Sequence, residues 1–436
     1  MFYLTSLRYV RVRDLKEATT FFIFEDLLTT KIFNMKKVCG LDVHKDSIFC
    51  AIYNGENYSG VKEFSTMTPD IYSMGEYLQS EEVEEIALES TGIYWIAVWD
   101  LLYEMGFKLT LVNPYLIKQM PGRKSDIKDA QWIATLLHKG MMRGSFVPPP
   151  VIQELRVYSR KQGKLKQQVT RVLTGMDSIL VKCGIRASSC LSSISTKSFL
   201  CIVEALIAGW SDPGYLVSLV YGNRKNKQSG KLKEALTGNL KAYHRQELSW
   251  AKQEYEMYQV QISECLSEMR RICDEHFSVM VKLLQTIPGI SQIAAMTIIA
   301  ETGGDMSVFE SSDKLVGWAG LRPRNDESAG KYKSTATTKG NKYLRSILVQ
   351  VSWAASRMKG SFFKDKFQRL AMRKPRKKAL IAIARKLLVV IWNVLQYAKE
   401  YNPKLVPVQD PVKMKARLAY HKREYEKTAN LLNITI

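Results

Sequence analysis

Four carboxylates in the first third of the chain are spaced so that they could hold metal ions. Asp42 ends an apolar run at 38–43, and Glu89 ends a later apolar run. Asp126 and Asp129 stand three residues apart at the start of a helical pattern, so both lie on one helix face. Strand ends and one helix turn can converge on one point in an α/β domain. We therefore treat the four acids as one candidate set.

Four carboxylates at one point repel one another unless cations lie between them. Mg²⁺ prefers oxygen ligands, and two such ions about 3.5–4 Å apart can bind the attacking and leaving oxygens of a phosphodiester. The set therefore predicts a nuclease-type centre with two Mg²⁺ ions. Each acid alone also fits a simpler role, because Asp126 and Asp129 are suited to a helix start and Glu89 to a solvated strand end.

A second chemical feature is a serine, Ser328, in a cationic segment at 318–333 that reads as a loop. Four cations of this segment could neutralise phosphates: Arg322, Arg324, Lys331 and Lys333. A serine that attacks a phosphodiester needs a base or a metal, and a group that binds the developing charge. No histidine stands nearby in the sequence, so the chemistry alone favours a surface serine in an anion-binding loop.

The elements that must position the acids follow from the hydrophobic pattern of residues 38–143. Short apolar runs alternate with amphipathic stretches, which predicts a mixed α/β domain. Strands are predicted at 38–43, 47–53, 61–64, 85–88 and 108–112, and helices at 69–79, 94–105 and 127–137. The Asn54-Gly55 pair indicates a hairpin turn after the second strand.

Beyond the three prolines at 148–150 the pattern becomes helical. Apolar residues from Leu248 to Ile272 repeat at alternating spacings of three and four, which is a heptad seam. Together with the helix predicted at 155–179, the seam indicates an antiparallel helical arm. The seam fits either an intramolecular bundle or pairing between two copies of the chain.

The third region, 279–400, is also predicted to be mostly helical, with helices at 343–358 and 379–398. A helical stretch at 283–302 is interrupted by Pro288-Gly289-Ile290. This indicates a helix-hairpin-helix whose Gly289 turn could present backbone N–H groups to a phosphate. A plain helical hairpin inside a core fits the same residues.

The whole chain is thereby divided into five parts. They are an N-terminal extension at 1–34 that precedes a possible true start at Met35, an α/β domain at 35–147, a helical coiled-coil region at 148–278, a C-terminal domain at 279–400 and a polar tail at 401–436. The expected fold class is α/β plus all-α.

The composition indicates a polyanionic partner and no membrane span. The chain has 64 Lys+Arg against 42 Asp+Glu, a net charge of +22, which favours nucleic acid. The most apolar long run, 379–395, is interrupted by Arg385 and Lys386, so a spanning helix is not expected. The seven cysteines stand singly and the five histidines are scattered, which disfavours a zinc site or a disulfide framework and fits the reducing cytoplasm.

Several ordered motifs resemble the IS110 family of insertion-sequence transposases, whose relatives include the Piv DNA invertase. The acids lie in GLDVHK (40–45), ESTGIYW (89–95) and PGRKSDIKDA (121–130), which are similar to the family's DEDD motifs. The serine lies in ESAGK (327–331), followed by TKGNKYLR (338–345), which resembles the family's second-domain signature. The segment 334–337 departs from the more basic version of relatives, and Ser334 is the second candidate serine.

The resemblance implies a RuvC-like domain of RNase H fold with Asp42, Glu89, Asp126 and Asp129 as Mg²⁺ ligands. It implies that Ser328 is the nucleophile and forms a covalent phosphoserine intermediate with DNA. The implied partners are double-stranded DNA of the element ends and target, a structured guide RNA, and further copies of the chain, as a dimer assembling to a tetramer. The expected location is the bacterial cytoplasm, at the nucleoid.

Residues expected to contact nucleic acid lie in the same motifs and in the helical hairpin. They are Arg123, Lys124, Lys128, Gly289, Arg322, Arg324, Lys331, Lys333, Lys339, Asn341 and Arg345. The runner-up function is a RuvC-like, Mg²⁺-dependent junction nuclease that uses water and does not need Ser328. A non-catalytic architectural protein is disfavoured because all four acids and the serine are present.

Overall fold

A computed structural model describes most of the chain after the first 35 residues. The described ranges are 36–89, 92–113, 126–142, 144–222, 229–324, 326–328, 331–334, 336–403 and 411–431, without the side chains of 326–328, 331–333, 411–417 and 430–431. The predicted extension at 1–34 lies outside these ranges. The chain divides into two compact units, 1–147 and 148–436, each described by itself.

The first unit is built on a five-stranded mixed sheet. Its elements are β1 (Val38–Val43), β2 (Ser47–Tyr53), β3 (Lys62–Ser65), α1 (Thr68–Ser80), β4 (Glu85–Glu89), α2 (Trp95–Glu104), β5 (Lys108–Val112) and α3 (Asp126–His138). The strand order is β3-β2-β1-β4-β5. The first three strands are antiparallel, whereas β4 and β5 run parallel to β1. The predicted class of an α/β part plus helices is confirmed.

Helices cover both faces of this sheet. On one face, Leu41 and other residues of the sheet pack against α1 and α2 through Met74 and Leu102. On the other face, Val38 and Ala87 pack against Ile133 of α3. Side chains alternate along a strand, so Asp42 and Glu89 point to the α3 face, as Val38 and Ala87 do.

A glycine of β1 lets α3 approach the sheet closely. A Cβ built on Gly40 would overlap the carbonyl oxygen of Ala130 and lie 2.5 Å from the amide nitrogen of Ala134. The backbone of α3 therefore rests directly on β1. This contact places the N-terminal turn of α3 beside the end of β1, where Asp42 lies.

We predict that Gly40→Ala lowers the free energy of unfolding of this unit by ~3 kcal/mol, because the added methyl group meets rigid backbone. Gly60→Ala is the matched control, since no described atom lies within 4 Å of its built Cβ. Denaturant unfolding of the full chain compares the two variants. Equal midpoints for Gly40→Ala and Gly60→Ala would contradict the close packing of α3.

The second unit is helical apart from a short hairpin. Its elements are α4 (Pro150–Lys182), α5 (Ala187–Cys190), α6 (Lys197–Ile207), α7 (Pro213–Ser218), α8 (Ser229–Ala235), α9 (Ala242–His276), α10 (Ser278–Gln285), α11 (Gln292–Thr302), α12 (Ser312–Trp318), β6 (Asp326–Ser328), β7 (Lys331–Ser334), α13 (Lys342–Ala355), α14 (Phe362–Ala371), α15 (Arg376–Tyr397) and α16 (Pro411–Leu431). The segment 318–333 was expected to be a loop, and this was wrong at β6 and β7. The tail contains a helix, α16.

The heptad seam is covered inside the same chain. Leu248, Ile262 and Met269 are buried on α9, and the helix packs along α4 through residues such as Leu165. The antiparallel arm is thus formed by α4 and α9 of one chain. The seam therefore does not offer a free face for pairing with a second copy.

The main core of the second unit joins the base of this arm to the C-terminal helices. Leu155 and Met269 lie in one cluster with Leu284, Leu348 and Leu387. The helix α15 is long and apolar enough to cross a membrane by length and composition. Several of its apolar residues are fully buried in this cluster: Ile383, Ala384, Leu387, Leu388 and Ile391. Packing in the core therefore accounts for its apolar sequence.

Candidate active site

Acidic groups converge at the edge of the sheet where β1 and β4 end. Leu41 pairs with Leu88 in the parallel register, so Asp42 and Glu89 follow at the same edge. Both acids are buried, whereas Asp126 at the start of α3 is exposed. One ligand atom from each of Asp42, His44 and Asp126 lies within 4.8 Å of the others.

Burial and the neighbouring charged groups change the pKa of the Asp42 carboxyl group. Burial raises the pKa of Asp42 to about 6, against the opposing effect of His44 and with the support of Glu89 and Asp129. Glu89 and Asp129 therefore lie close enough to act on the Asp42 carboxyl group, and Asp126 lies beside it in the cluster with His44. Sheet register and the α3 contact place these acids at one edge of the sheet, and their role as metal ligands stays a prediction.

His44 belongs to the cluster, and we did not predict it as a site residue. Its Nε2 lies 3.1 Å from Oδ2 of Asp42 and 3.6 Å from Oδ1 of Asp126. The signal was present in the sequence, because a histidine two residues after an aspartate at a strand end falls on the same side. A neutral His44 offers nitrogen to a metal, and a protonated His44 offers positive charge to the carboxylates.

The donor set fits a divalent metal ion. Two carboxylates and an imidazole within 4.8 Å of one another can bind one ion, and Asp42 is held in a buried position. Burial, followed by the nearby acids, raises the pKa of Asp42, so positive charge placed beside it would favour the ionised carboxylate. A divalent cation would supply that positive charge.

The predicted serine lies on a β-hairpin in the second unit. Ser328 ends β6, and its backbone pairs with Lys331 of β7 across the intervening two residues. The structure does not describe the side chains of Ser328, Lys331 and Lys333, so the roles assigned to them from the sequence remain predictions. The backbone places Ser328 at the end of β6, opposite the first residue of β7.

Backbone pairing extends the hairpin ladder to its base. The N–H of Arg324 donates to Ala336 O at 3.0 Å, and the N–H of Thr338 donates to Arg322 O at 2.9 Å. At the base, a Cβ on Gly340 would lie 2.5 Å from Trp318 O and overlap the backbone of Gly320. The base of the ladder therefore packs closely against the end of α12.

Asn341 has a structural role that differs from the predicted contact with nucleic acid. Its Oδ1 accepts hydrogen bonds from the N–H groups of Tyr343 and Leu344, which caps α13. Its Nδ2 donates to Oε2 of Glu301 at 2.7 Å. Both ends of the amide are therefore engaged within the protein, and contact of Asn341 with nucleic acid stays a prediction.

Glu301 is a fully buried carboxylate that we did not predict. Arg160 donates to both of its oxygens, at 2.9 and 2.8 Å, and Arg156 donates to the carbonyl oxygens of Ala300 and Glu301. With Asn341, this network ties α4 and α11 to the start of α13. It fixes the helix that follows the serine hairpin.

Two family models match the chain in the regions of the acids and of the serine. The first, described as Transposase and covering the DEDD domain of IS110 transposases, matches residues 39–185. The second, described as Transposase IS116/IS110/IS902 family, matches residues 281–368. Together they cover just over half of the chain. The chain belongs to the IS110 family of transposases.

Similar proteins carry matching descriptions. A Sinorhizobium fredii protein described as a transposase (y4pF/y4sB) is 28% identical to this transposase over 339 residues, covering 73% of this chain and 74% of that protein. A Pseudomonas aeruginosa protein described as a family 20 transposase is 23% identical over 329 residues, covering 73% and 86%. The pilin gene-inverting protein of Moraxella lacunata is 29% identical over 136 residues, which are 30% of this chain and 42% of that protein.

Solved structures of RuvC from Thermus thermophilus also match part of the transposase. The structure with a Holliday junction substrate is 14% identical and covers 25% of this chain and 99% of that chain, with a TM-score of 0.21. A second RuvC structure has 15% identity and a TM-score of 0.19, over the same shares of the two chains.

The remaining residues predicted to contact nucleic acid are distributed over both units. Arg123 and Lys124 lie outside the described residues, and Lys128 is exposed on the first turn of α3. Arg322, Arg324 and Lys339 are exposed near the base of the hairpin, and Arg345 is half-buried on α13.

Gly289 forms the predicted turn between α10 and α11, with a φ of 90° that favours glycine. A Cβ there would lie 2.7 Å from the amide nitrogen of Ala355 and 2.9 Å from Val351 O. The α carbon therefore packs on α13, as in a helical hairpin within a core. Contact of its N–H with a phosphate stays a prediction.

We predict that Arg160→Met lowers the free energy of unfolding of the transposase by ~3 kcal/mol, because it leaves the buried Glu301 carboxylate without its bidentate arginine partner. Arg271→Met is the matched control, since Arg271 forms its ion pairs with Glu154 and Glu268 at the surface. Thermal unfolding compares the variants. A melting temperature that falls no more for Arg160→Met than for the control would contradict the role of the network.

Proposed function

We propose that the transposase recombines double-stranded DNA by serine attack on a phosphodiester, supported by Mg²⁺ at the acidic cluster. The convergence of Asp42, His44 and Asp126 within 4.8 Å, on the edge shared with Glu89, carries the proposal. The position of Ser328 at the end of β6, between the cations of the hairpin, supports its role as nucleophile.

In the first step, the Oγ atom of Ser328 bonds to phosphorus while the bond from phosphorus to one deoxyribose oxygen breaks. The serine proton leaves to a base, and the departing oxygen gains a proton as a hydroxyl group. In the second step, a hydroxyl of another DNA end attacks the phosphoserine and releases Ser328. The number of phosphodiester bonds is unchanged, so rejoining needs no external energy source.

The acidic cluster would hold two Mg²⁺ ions through Asp42, Glu89, Asp126 and Asp129. When bound, Mg²⁺ supplies charge neutralisation at the phosphate and lowers the pKa of a bound hydroxyl or water. The carboxylates fix this charge at the sheet edge. His44, whose Nε2 lies 3.1 Å from Oδ2 of Asp42 and 3.6 Å from Oδ1 of Asp126, would position the two carboxylates.

A basic surface on the second unit is suited to hold the nucleic acid backbone. Exposed cations run from the end of α14 into α15: Arg373, Lys374, Arg376, Lys377 and Lys378. Burial, followed by the charges of Lys386 and Arg369, lowers the pKa of nearby Lys366. Crowded like charges of this kind are stabilised by phosphates. The same surface could bind element DNA and a guide RNA in the bacterial cytoplasm.

A junction nuclease that uses water is the second candidate. It is favoured by one observation, that the acidic cluster is complete within the first unit and does not include Ser328. A strand-transfer assay with Mg²⁺, labelled element-end DNA, target DNA and RNA from the flanking region separates the two functions. Joined strands support the transposase, whereas cut strands without joined products would support the nuclease.

We propose that copies of the chain pair through the outer face of α9. Tyr243, Trp250 and Met257 are spaced by seven residues there and are largely exposed. An exposed apolar stripe of this kind is typical of a helix-pairing face.

Trp250→Glu is therefore expected to shift the assembled species toward the monomer in analytical ultracentrifugation. Trp210→Glu is the control, because Trp210 is equally exposed but lies outside α9. An unchanged assembly in Trp250→Glu, or an equal shift in both variants, would contradict pairing through this face.

A further inference from the structure

A cavity of about 740 Å³ opens between three helices of the second unit, α4, α11 and α13. It is separate from the acidic cluster, which belongs to the first unit. Its walls carry both polar and apolar side chains. The volume falls within the range of small-molecule binding sites, which is about 300–1,000 Å³.

The cavity carries positive charge only. Lys164 and Lys166 line it from α4, and Lys342 lines it from the start of α13. Among the described residues that line it, there is no aspartate or glutamate. Three ammonium groups without a carboxylate favour an anion, and a phosphate group matches them in charge and in acceptor oxygens.

A buried amide also lacks a partner in this cavity. Gln162 is only 5% exposed and lines the cavity wall, and among the described residues its Nε2 has no hydrogen-bond partner. An unsatisfied buried donor destabilises the protein by roughly 1–3 kcal/mol. An unpaired donor in the wall of a cavity that is already rich in donors indicates a ligand that supplies an acceptor.

The size and the apolar wall indicate a ligand larger than a phosphate. Ile293 on α11 and Ile347 on α13 line the cavity together with the lysines and Gln162. A nucleotide combines the required features, because it has a phosphate, a flat base for an apolar wall and acceptors on the base edge. Unpaired bases are recognised in this way when they leave their stack.

The cavity is also linked to the serine hairpin within the same unit. Lys342 follows Asn341, whose N–H donates to Trp318 O at the base of the hairpin. A ligand that contacts Lys342 therefore lies one residue from the segment that holds this base. A ligand in the cavity would therefore contact the segment that follows the serine hairpin.

We propose that this cavity binds a single unpaired nucleotide of the nucleic acid that the transposase holds. The phosphate lies against Lys164, Lys166 and Lys342, and the base lies between Ile293 and Ile347 with its edge toward Gln162. The inference rests on the proposed function only in taking nucleic acid as the partner. It does not depend on serine attack.

Binding of the full-length protein to labelled duplexes, measured by fluorescence anisotropy, tests this. A fully paired duplex is compared with the same duplex carrying one bulged nucleotide, in a DNA arm and an RNA arm. Wild type is expected to bind the bulged probe about tenfold more tightly in at least one arm, as the gain of a satisfied hydrogen bond and close ionic contacts suggests. No preference in either arm would overturn the proposal.

Three variants locate the effect. Gln162→Leu and Lys166→Ala should abolish the preference for the bulge, whereas Lys161→Ala, which is exposed on α4 and outside the cavity, should keep it. Gln162→Leu should melt no lower than wild type, because it removes an unsatisfied amide. A preference kept in both cavity variants, or lost equally in Lys161→Ala, would overturn the proposal. The serine-dependent covalent adduct is scored separately, so failure here is distinct from failure of the proposed function.

Discussion

Asp42→Asn is expected to reduce metal-dependent strand cleavage by about 10³-fold or more while leaving the fold intact. Asn has nearly the same shape as Asp but lacks the negative charge that holds a divalent cation. The substitution also removes one of several like charges from a buried position, so thermal stability without metal should not fall. Cleavage of labelled DNA over a Mg²⁺ titration gives the measurement.

Asp46→Asn is the matched control for this change. Asp46 is exposed in the connection between β1 and β2, two residues after His44, and it was not assigned to the site. Its cleavage rate should stay within about threefold of wild type, as for a surface substitution. Comparable cleavage by Asp42→Asn and Asp46→Asn would remove Asp42 from the metal centre.

Ser328→Ala is expected to abolish strand transfer while nucleic-acid binding stays within about twofold of wild type. The change removes the attacking oxygen but none of the cations that neutralise phosphates. The loss should reach about 10³-fold or more, as for the removal of other nucleophiles. Strand-transfer rates and anisotropy titrations on the same preparation separate chemistry from binding.

Ser334→Ala is the control for the serine, because Ser334 lies on the opposite strand of the same hairpin and pairs with Asp326. It was the second candidate in the sequence. Strand transfer should persist in Ser334→Ala. Loss of transfer in this variant with normal transfer in Ser328→Ala would reassign the nucleophile.

The strands of the first unit could be predicted because each of them appears as a local pattern of apolar residues in the sequence. The strands Val38–Val43, Ser47–Tyr53 and Lys108–Val112 have the predicted limits, since buried strands read as short apolar runs bounded by turn residues. Helix limits differ from prediction by one residue at each end of Thr68–Ser80 and Asp126–His138. Convergence of the four acids followed from strand ends and one helix turn.

Features that depend on long-range contacts were not predictable in the same way. The heptad seam of α9 shows that a helix has a partner but not which chain supplies it, and here α4 covers it. The segment 318–333 was predicted to be a loop, because β6 and β7 are only three and four residues long and give no clear strand pattern in the sequence. Asn341 matched a signature, yet its hydrogen bonds go to Glu301 and to the start of α13.

Covalent trapping tests the central claim most directly. The full-length transposase is incubated with labelled element-end DNA, Mg²⁺ and RNA from the flanking region, then denatured and analysed for DNA that migrates with protein. Mass spectrometry of the digested adduct locates the attached residue. We predict an adduct on the peptide that contains Ser328, absent in Ser328→Ala. Cut DNA without any adduct, or an adduct that persists in Ser328→Ala, would contradict serine attack.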